Sequence, residues 1–425
     1  MWKWRFALLI VFISFHSRAA SILIPMDEVQ KNHLKAYGVA FLSLKEGIET
    51  DWLLNYRGGS FLMNYYPKLE LECKVRGVTY QTIADGEVNR ILTQISDPQL
   101  NMDIVKLEKA PKIAVYSPKN KLPWDDAVTL VLNYAEIPYD IIYDEEIIKG
   151  DILPKYDWLH LHHEDFTGQY GRFWQRYQRE PWYIEDVKSQ ENTANKLGYA
   201  KVSKMKLDVA KGIRNFVSGG GFMFAMCTGT DTYDIALAAE GTDICEAIFD
   251  GDGSDPNAQS KLDFSQTFAF QNFDIFPVSR FSMSSVDFSN IDVSDALDRG
   301  LDESNDFFAL FDFSAKWDAV PSMLTQSHDK VIKGFMGLTT EFRKDLLKPN
   351  VLVMGETKAT NSARYIHGEF GKGQWTFYGG HDPEDYQHQV GEEPTDLNLH
   401  PNSPGYRLIL NNVLFPAAKK KKQKT

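Results

Sequence analysis

Cys227 stands in the run Gly219-Gly-Gly-Phe-Met-Phe-Ala-Met-Cys-Thr-Gly-Thr-Asp-Thr-Tyr-Asp234, where a short apolar segment gives way to small and polar residues. Ala225 lies two before it and Gly229 two after. A nucleophile elbow needs this pattern, because its turn is too tight for large neighbours and pushes one side chain out over the end of a strand. The N-terminus of the helix that follows would favour a thiolate and offer backbone N–H groups to an oxyanion, with Thr228 and Gly229 lining that pocket. Asp231 and Asp234 would oppose the thiolate if they lay close. A buried structural cysteine at a strand end is the plainer alternative.

A thiol nucleophile needs a base. His381 follows the late run Gly371-Lys-Gly-Gln-Trp-Thr-Phe-Tyr-Gly-Gly380, with Asp382 beside it and Glu384 three residues on. His381 could take the Cys227 proton, with Glu384 or Asp382 fixing its tautomer. A histidine capping a turn is the competing reading. A second constellation is Leu159-His160-Leu-His162-His163-Glu164-Asp165. Imidazole and carboxylate ligands suit zinc and similar ions, so His160, His162, Glu164 or Asp165 could bind a divalent metal. On a strand His160 and His162 share a face and His163 lies opposite, so a hydrogen-bonded polar cluster at a cleft is the simpler expectation. No other cofactor is suggested.

These residues require strands that end together. Lys112–Tyr116, Tyr139–Tyr143, Tyr156–His162 and Phe222–Met226 read as strands, separated by helices over Trp124–Ala135, from Val202 to the glycines at 219–221, and over Thr232–Ala239. Val351–Met354 and Trp375–Tyr378 are later strands and Tyr406–Leu414 a closing helix. This alternation predicts an α/β fold with a mostly parallel sheet covered on both faces, whose strand ends are where ligands gather. Phe166 to Tyr183 carries Phe173, Trp174, Tyr177, Trp182 and Tyr183 among arginines, an insertion (near 166–195) suited to a lid. Residues 250–345 show no clean period. Before Lys109-Ala-Pro111, helices over Asn32–Lys45, Tyr66–Arg76 and Glu87–Ile95 with strands at Trp52–Tyr56 and Val78–Ile83 predict a small α/β domain over 20–110, followed by the main domain over 111–418.

The chain has 425 residues, 43% of them hydrophobic and 24% charged, with a formal charge of −12. That is a globular, acidic protein for which nucleic acid is a poor partner. Three cysteines exclude a disulfide scaffold. Residues 1–19 follow the charged, apolar, small-residue order of a signal peptide, with Lys3 and Arg5 before an apolar stretch and Ala19-Ala20 after it. The expected location is periplasmic or secreted. No second apolar run has membrane length, so a protein integral to the membrane is not expected. Residues 419–425, with five lysines, predict a disordered tail.

The elbow Ala225-Met-Cys227-Thr-Gly229 together with Gly379-Gly-His381-Asp-Pro-Glu384 resembles the class I glutamine amidotransferase-like superfamily. The resemblance covers about 111–417 and implies a flavodoxin-like sheet and a Cys227, His381, Glu384 triad. The segment from Gly371 to Pro383 also looks like the ThuA-like branch, where the cysteine is often absent. Over its whole length, with Asn55-Tyr-Arg-Gly-Gly-Ser-Phe61, the chain is similar to exported bacterial proteins labelled asparagine synthetase B. Trp2 in place of an N-terminal cysteine, the leader and the lack of an ATP loop argue against asparagine synthesis itself. Where amidotransferases carry a glycine-rich oxyanion loop, this chain has His162-His163-Glu164-Asp165, which would line the pocket instead. Three functions follow as expectations: a Cys-dependent hydrolase of an amide or related acyl bond, a non-catalytic or carbohydrate-binding module, and a metal-dependent hydrolase. The substrate would be a small molecule or carbohydrate.

Overall fold

A computed structural model describes residues 21–419 apart from 121, 151, 153, 278–286, 294–305, 334–338 and 386–389. The expected leader over residues 1–19 and the lysines from 420 onward lie outside the described residues, as does part of the aperiodic 250–345 stretch. Lys419 is described and is anchored: its N–H donates to the Lys106 carbonyl and its ammonium pairs with Glu108.

The first unit is built on an antiparallel sheet ordered β4-β1-β3-β2-β5, with β1 Ser21–Ile24, β2 Thr50–Leu54, β3 Ser60–Asn64, β4 Gln81–Ile83 and β5 Asp103–Leu107. Helices α1 (His33–Lys45), α2 (Pro67–Val75) and α3 (Asp85–Ser96) accompany it. Strands β1, β3 and β5 have no counterpart in the sequence reading, which found only β2 and β4. Asn32 caps α1 by accepting the Lys35 N–H, and Leu34, Tyr37, Phe41 and Leu44 form its buried stripe. That stripe packs against α4 (Ala127–Ala135) and the C-terminal helix Pro404–Leu414, so the two sheets share one apolar layer.

The second sheet runs β11-β10-β13-β14-β15-β9-β8-β6-β7, with β12 on β14. Its strands are β6 Ile113–Tyr116, β7 Asp140–Ile142, β8 Trp158–Leu161, β9 Phe222–Met226, β10 Phe307–Leu310, β11 Val331–Lys333, β12 Phe342–Arg343, β13 Leu352–Thr357, β14 Ser362–Phe370 and β15 Gly373–Tyr378. The five strands β7, β6, β8, β9 and β15 are parallel; the remainder add antiparallel pairs beyond β15. The sheet is therefore mixed, with a parallel half holding the site.

Alternation along each parallel strand sends neighbours to opposite faces. Val115, Trp158 and Phe224 face the α1, α4 and C-terminal helix layer. Ala114, Leu159, Met223 and Phe377 face α8 (Val202–Ser218), whose Val209, Ile213 and Phe216 recur at helical spacing, and α9 (Thr228–Ala238). Both faces are covered, which suits the continuous apolar runs of β6 and β9. No helix among the described residues is long and apolar enough to cross a membrane.

Candidate functional site at the carboxyl edge of the parallel strands

Strands β6, β8, β9 and β15 deliver their carboxyl ends to one edge. Chain order reverses direction at β6, which has β7 on one side and β8 on the other. The crevice beyond β6 and β8 is thus a topological switch point, the usual ligand position in such sheets. The loop after β6 brings Trp124, Asp125 and Asp126. The end of β8 brings His162 and His163, β9 ends on Cys227, and β15 leads into His381.

Cys227 has φ 47° and ψ −140°, a strained conformation for a residue with a Cβ. Its N–H donates to the Gly380 carbonyl at 3.0 Å, joining the ends of β9 and β15, and its carbonyl accepts from the Thr230 N–H and hydroxyl. Helix α9 starts at Thr228, four residues before the predicted Thr232, because the elbow feeds it directly. The side chains are enclosed: Cys227 is 3% exposed and His162 and His381 are 1% exposed each.

Gly229 has a different part from the one expected. Its N–H donates to the His162 carbonyl at 2.6 Å, so it cannot serve an oxyanion. A Cβ there would stand 2.8 Å from that carbonyl oxygen; glycine is needed for close approach. Asp231 does not oppose a thiolate as feared: burial, with Asp292 nearby, pushes its carboxyl well above the usual range, and Oδ1 accepts from the Thr232 N–H and the Thr339 hydroxyl. Asp234 is engaged elsewhere, accepting backbone N–H groups of Phe268, Ala269 and Phe270 at 2.7–2.9 Å.

The histidines meet in one cluster. The His162 and His163 rings stack at 3.8 Å and 10°, and His381 lies 4.7 Å from the first and 4.3 Å from the second. The expectation that His163 points away from His162 fails because β8 ends at Leu161; beyond it strand alternation no longer governs. His162 Nδ1 lies 3.1 Å from Asp126 Oδ2, and His163 Nε2 lies 2.8 Å from the Asp125 carbonyl. Both oxygens accept, so these nitrogens carry the hydrogens. His160 lies deeper, with Nε2 3.2 Å from Asp126 Oδ2 and Nδ1 3.2 Å from the Phe224 carbonyl.

Asp126 is the residue that sequence reasoning missed. Its Oδ1 accepts the Thr129 N–H as the N-cap of α4, and its Oδ2 faces both imidazoles. Burial by itself would raise its carboxyl, but His160 and His162 outweigh that and hold it well below the usual range. An aspartate three residues before Thr129 at a helix start was the available signal.

The other proposed site residues separate. Asp165 is a loop staple: its carboxylate accepts from the Thr167 N–H and hydroxyl and from the Gln169 and Gly171 N–H groups. Those bonds occupy its oxygens and remove it from the possible metal ligands. Glu164 is buried, which raises its carboxyl to about 8 against the pull of Lys206. Glu384 has His400 Nδ1 at 3.5 Å from its Oε2, and Asp382 bonds the Tyr406 and Thr395 hydroxyls. Asp126 is a carboxylate that orients an imidazole here, that of His162.

Aromatic residues close the edge. Trp124 lies 5.7 Å from His163, 5.5 Å from Phe173 and 5.2 Å from Trp182, so the 166–183 segment reaches the cluster through Trp124. Its chain forms short turns and then α7 (Pro181–Lys196), a helix the sequence reading did not resolve.

No protein-family model matches the chain, and no curated protein does. Among solved structures, the cytoplasmic protein STM3548 from Salmonella typhimurium is similar at 10% identity and a TM-score of 0.37, over 73% of this chain and 100% of that one. The cytoplasmic protein STM1381 from Salmonella typhimurium LT2 aligns at 12% identity and 0.35, over 72% and 100%. A β-galactosidase from Bacillus circulans sp. alkalophilus aligns at 12% and 0.26, over 76% of this chain and 34% of its own. Likeness at this level assigns neither a family nor an activity.

Proposed function

We propose that the chain is an exported hydrolase of an amide or related acyl bond, with Cys227 as nucleophile, on a flavodoxin-like sheet of the class I glutamine amidotransferase-like kind. The reading is carried by the backbone of Cys227, held at φ 47° and ψ −140° between β9 and α9, because such strain persists where it aims a side chain. Support for the sheet type comes from its parallel strands, which taken in chain order lie 2-1-3-4-5. Support for export comes from the leader-like order of residues 1–19. The asparagine synthetase B label is a family name in this reading and not an activity.

The thiol sulfur attacks the acyl carbon, and its proton passes to an imidazole of the adjacent cluster. Collapse of the tetrahedral adduct expels the amine, which takes that proton, and leaves a thioester that water hydrolyses. The Thr228 N–H, at the first turn of α9, would serve as a backbone donor to the oxyanion.

The test is a screen of wild type against Cys227→Ala on amide, ester and glycoside substrates. A loss of about 10³-fold or more is expected for an essential nucleophile; undiminished turnover would overturn the assignment. Activity confined to glycosides, or saturable sugar binding without turnover, would favour the carbohydrate-binding alternative that the aromatic closure suggests.

A further inference from the structure

We infer that His162, His163 and His381 hold a divalent transition-metal ion of the zinc class, with Asp126 and the Asp125 carbonyl orienting two of the three rings. The inference goes beyond the thiol mechanism: an imidazole that ligates an ion has no lone pair left for the Cys227 proton, so the ion-loaded and thiol-active forms are separate states of one site. Ion binding itself follows from the side chains alone.

Each of the three imidazoles offers a nitrogen, and these nitrogens lie within 4.8 Å of one another. Zinc bonds imidazole nitrogen at about 2.0–2.1 Å, so ligands around a tetrahedral ion stand about 3.4 Å apart. Drawing the nitrogens from within 4.8 Å to that spacing is a movement of about 1.4 Å at most. Two of the ring orientations are fixed from behind. The His162 Nδ1–H donates to Asp126 and the His163 Nε2–H donates to the Asp125 carbonyl. Carboxylate or carbonyl behind an imidazole is the usual support of a metal-ligating histidine, since it sets the tautomer and strengthens the donor nitrogen.

The chemistry of the donor set specifies the ion. Neutral imidazoles suit zinc, cobalt, nickel, copper and iron better than magnesium or calcium, which take oxygen ligands. Three protein ligands leave one tetrahedral position open for water or a substrate oxygen, and an ion so held lowers the pKa of bound water to about 7. The position is at the switch-point crevice and under Trp124, where substrate would enter. Asp165 is excluded by its four loop contacts, and His160 by its bonds to Asp126 and Phe224.

The test is titration of chelator-stripped protein with Co²⁺ and then Zn²⁺, followed by calorimetry and visible absorption. The expected result is one equivalent of Co²⁺ with the bands of a low-coordinate, nitrogen-ligated ion, displaced by Zn²⁺. His163→Ala and His381→Ala should each weaken binding at least 100-fold. Asp126→Asn keeps a helix-capping side chain and should weaken it 10- to 100-fold. Circular dichroism and thermal midpoints verify that each variant is folded; if either alanine variant is not, His163→Gln or His381→Gln replaces it. Cys227→Ala should bind as wild type does. Wild type that takes up no stoichiometric Co²⁺ overturns the inference, as does binding that survives joint loss of His163 and His381. Loss of binding in Cys227→Ala would place the ion on the thiol and also overturn it. An active Cys227→Ala that still binds one equivalent would sink the cysteine mechanism alone, and a metal-free but Cys227-dependent enzyme would sink the ion alone.

Discussion

The Gly229 N–H donates to the His162 carbonyl at 2.6 Å, and this bond, with that from the Cys227 N–H to the Gly380 carbonyl, ties the cysteine elbow to the histidine cluster. Gly229→Ala would drive a Cβ to within 2.8 Å of the His162 oxygen, so either α9 or the end of β8 must shift. The expected destabilisation is about 1–3 kcal/mol, as for other overpacked sites, read by urea denaturation. Cobalt affinity should fall with it. A variant as stable as wild type would show that the elbow packs less tightly than this.

Trp124 stands between the imidazoles and the aromatic segment. Trp124→Ala removes ring contacts to His163, Phe173 and Trp182 and should cost about 2 kcal/mol, less than for a fully buried ring because Trp124 is half-buried. It should also open a route to Cys227, raising its rate of alkylation by iodoacetamide. Burial pushes the Cys73 thiol up to about 12 and raises Cys245 further, so both stay inert and the labelling reports Cys227. Unchanged labelling would mean that the segment is not what closes the site.

The parallel half of the main sheet was legible because β6 and β9 are continuous apolar runs and its strands are separated by turns or by amphipathic helices. Met205, Val209, Ile213 and Phe216 announced α8, and the small residues around Cys227 announced the elbow. The first sheet was not legible as antiparallel. Ser21–Ile24 is a strand of only four residues, and Ser60–Asn64 follows so closely on Arg57-Gly-Gly59 that the turn masked the hairpin partner. In the candidate site, Cys227, His162, His163 and His381 stand out by residue type and position, and the fold brings them to one sheet edge. The orienting partner of His162 does not stand out, since Asp126 is separated from it by a strand and a crossover, and only the parallel pairing of β6 with β8 brings them together. Glu384 was nearer in sequence to His381, and the chain turns it toward His400 at a positive φ of 69°.

A pH response should arise far from the site, at the seam between the two units. His33, at the start of α1, stacks on His328 at 4.0 Å, and Arg407 donates to His328 Nδ1, the Met26 carbonyl and the Gly58 carbonyl. Burial first, and then the guanidinium, lowers His33 to about 3 and His328 to about 4. Both rings are neutral in the folded state, while in the unfolded chain they protonate near 6.5. The unfolded state therefore binds more protons below pH 6.5, and stability present above that pH is lost as pH falls toward 4. The loss should be on the order of a few kcal/mol. His328→Gln, which keeps an acceptor for Arg407, should remove a large part of the slope. Urea midpoints at pH 4.5, 5.5 and 7 measure it, and equal slopes in the two proteins would refute the assignment.

The conformation of Cys227 can be tested without reference to any substrate. At φ 47° and ψ −140°, a side chain with a Cβ is strained by about 1–3 kcal/mol, whereas glycine adopts that region freely. Elsewhere in a strand-to-helix junction alanine is preferred to glycine, because glycine loses more backbone freedom on folding. Here the order should reverse: Cys227→Gly should be more stable than Cys227→Ala by about 1 kcal/mol or more, even though it buries one carbon fewer. Both variants lack the thiol, so the difference reports backbone strain and not chemistry. If Cys227→Ala proved the more stable, the residue would be relaxed and the buried structural cysteine would become the better description. If the reversal is observed together with lost turnover in both, then folding free energy is given up at this one position to hold a sulfur at the end of β9.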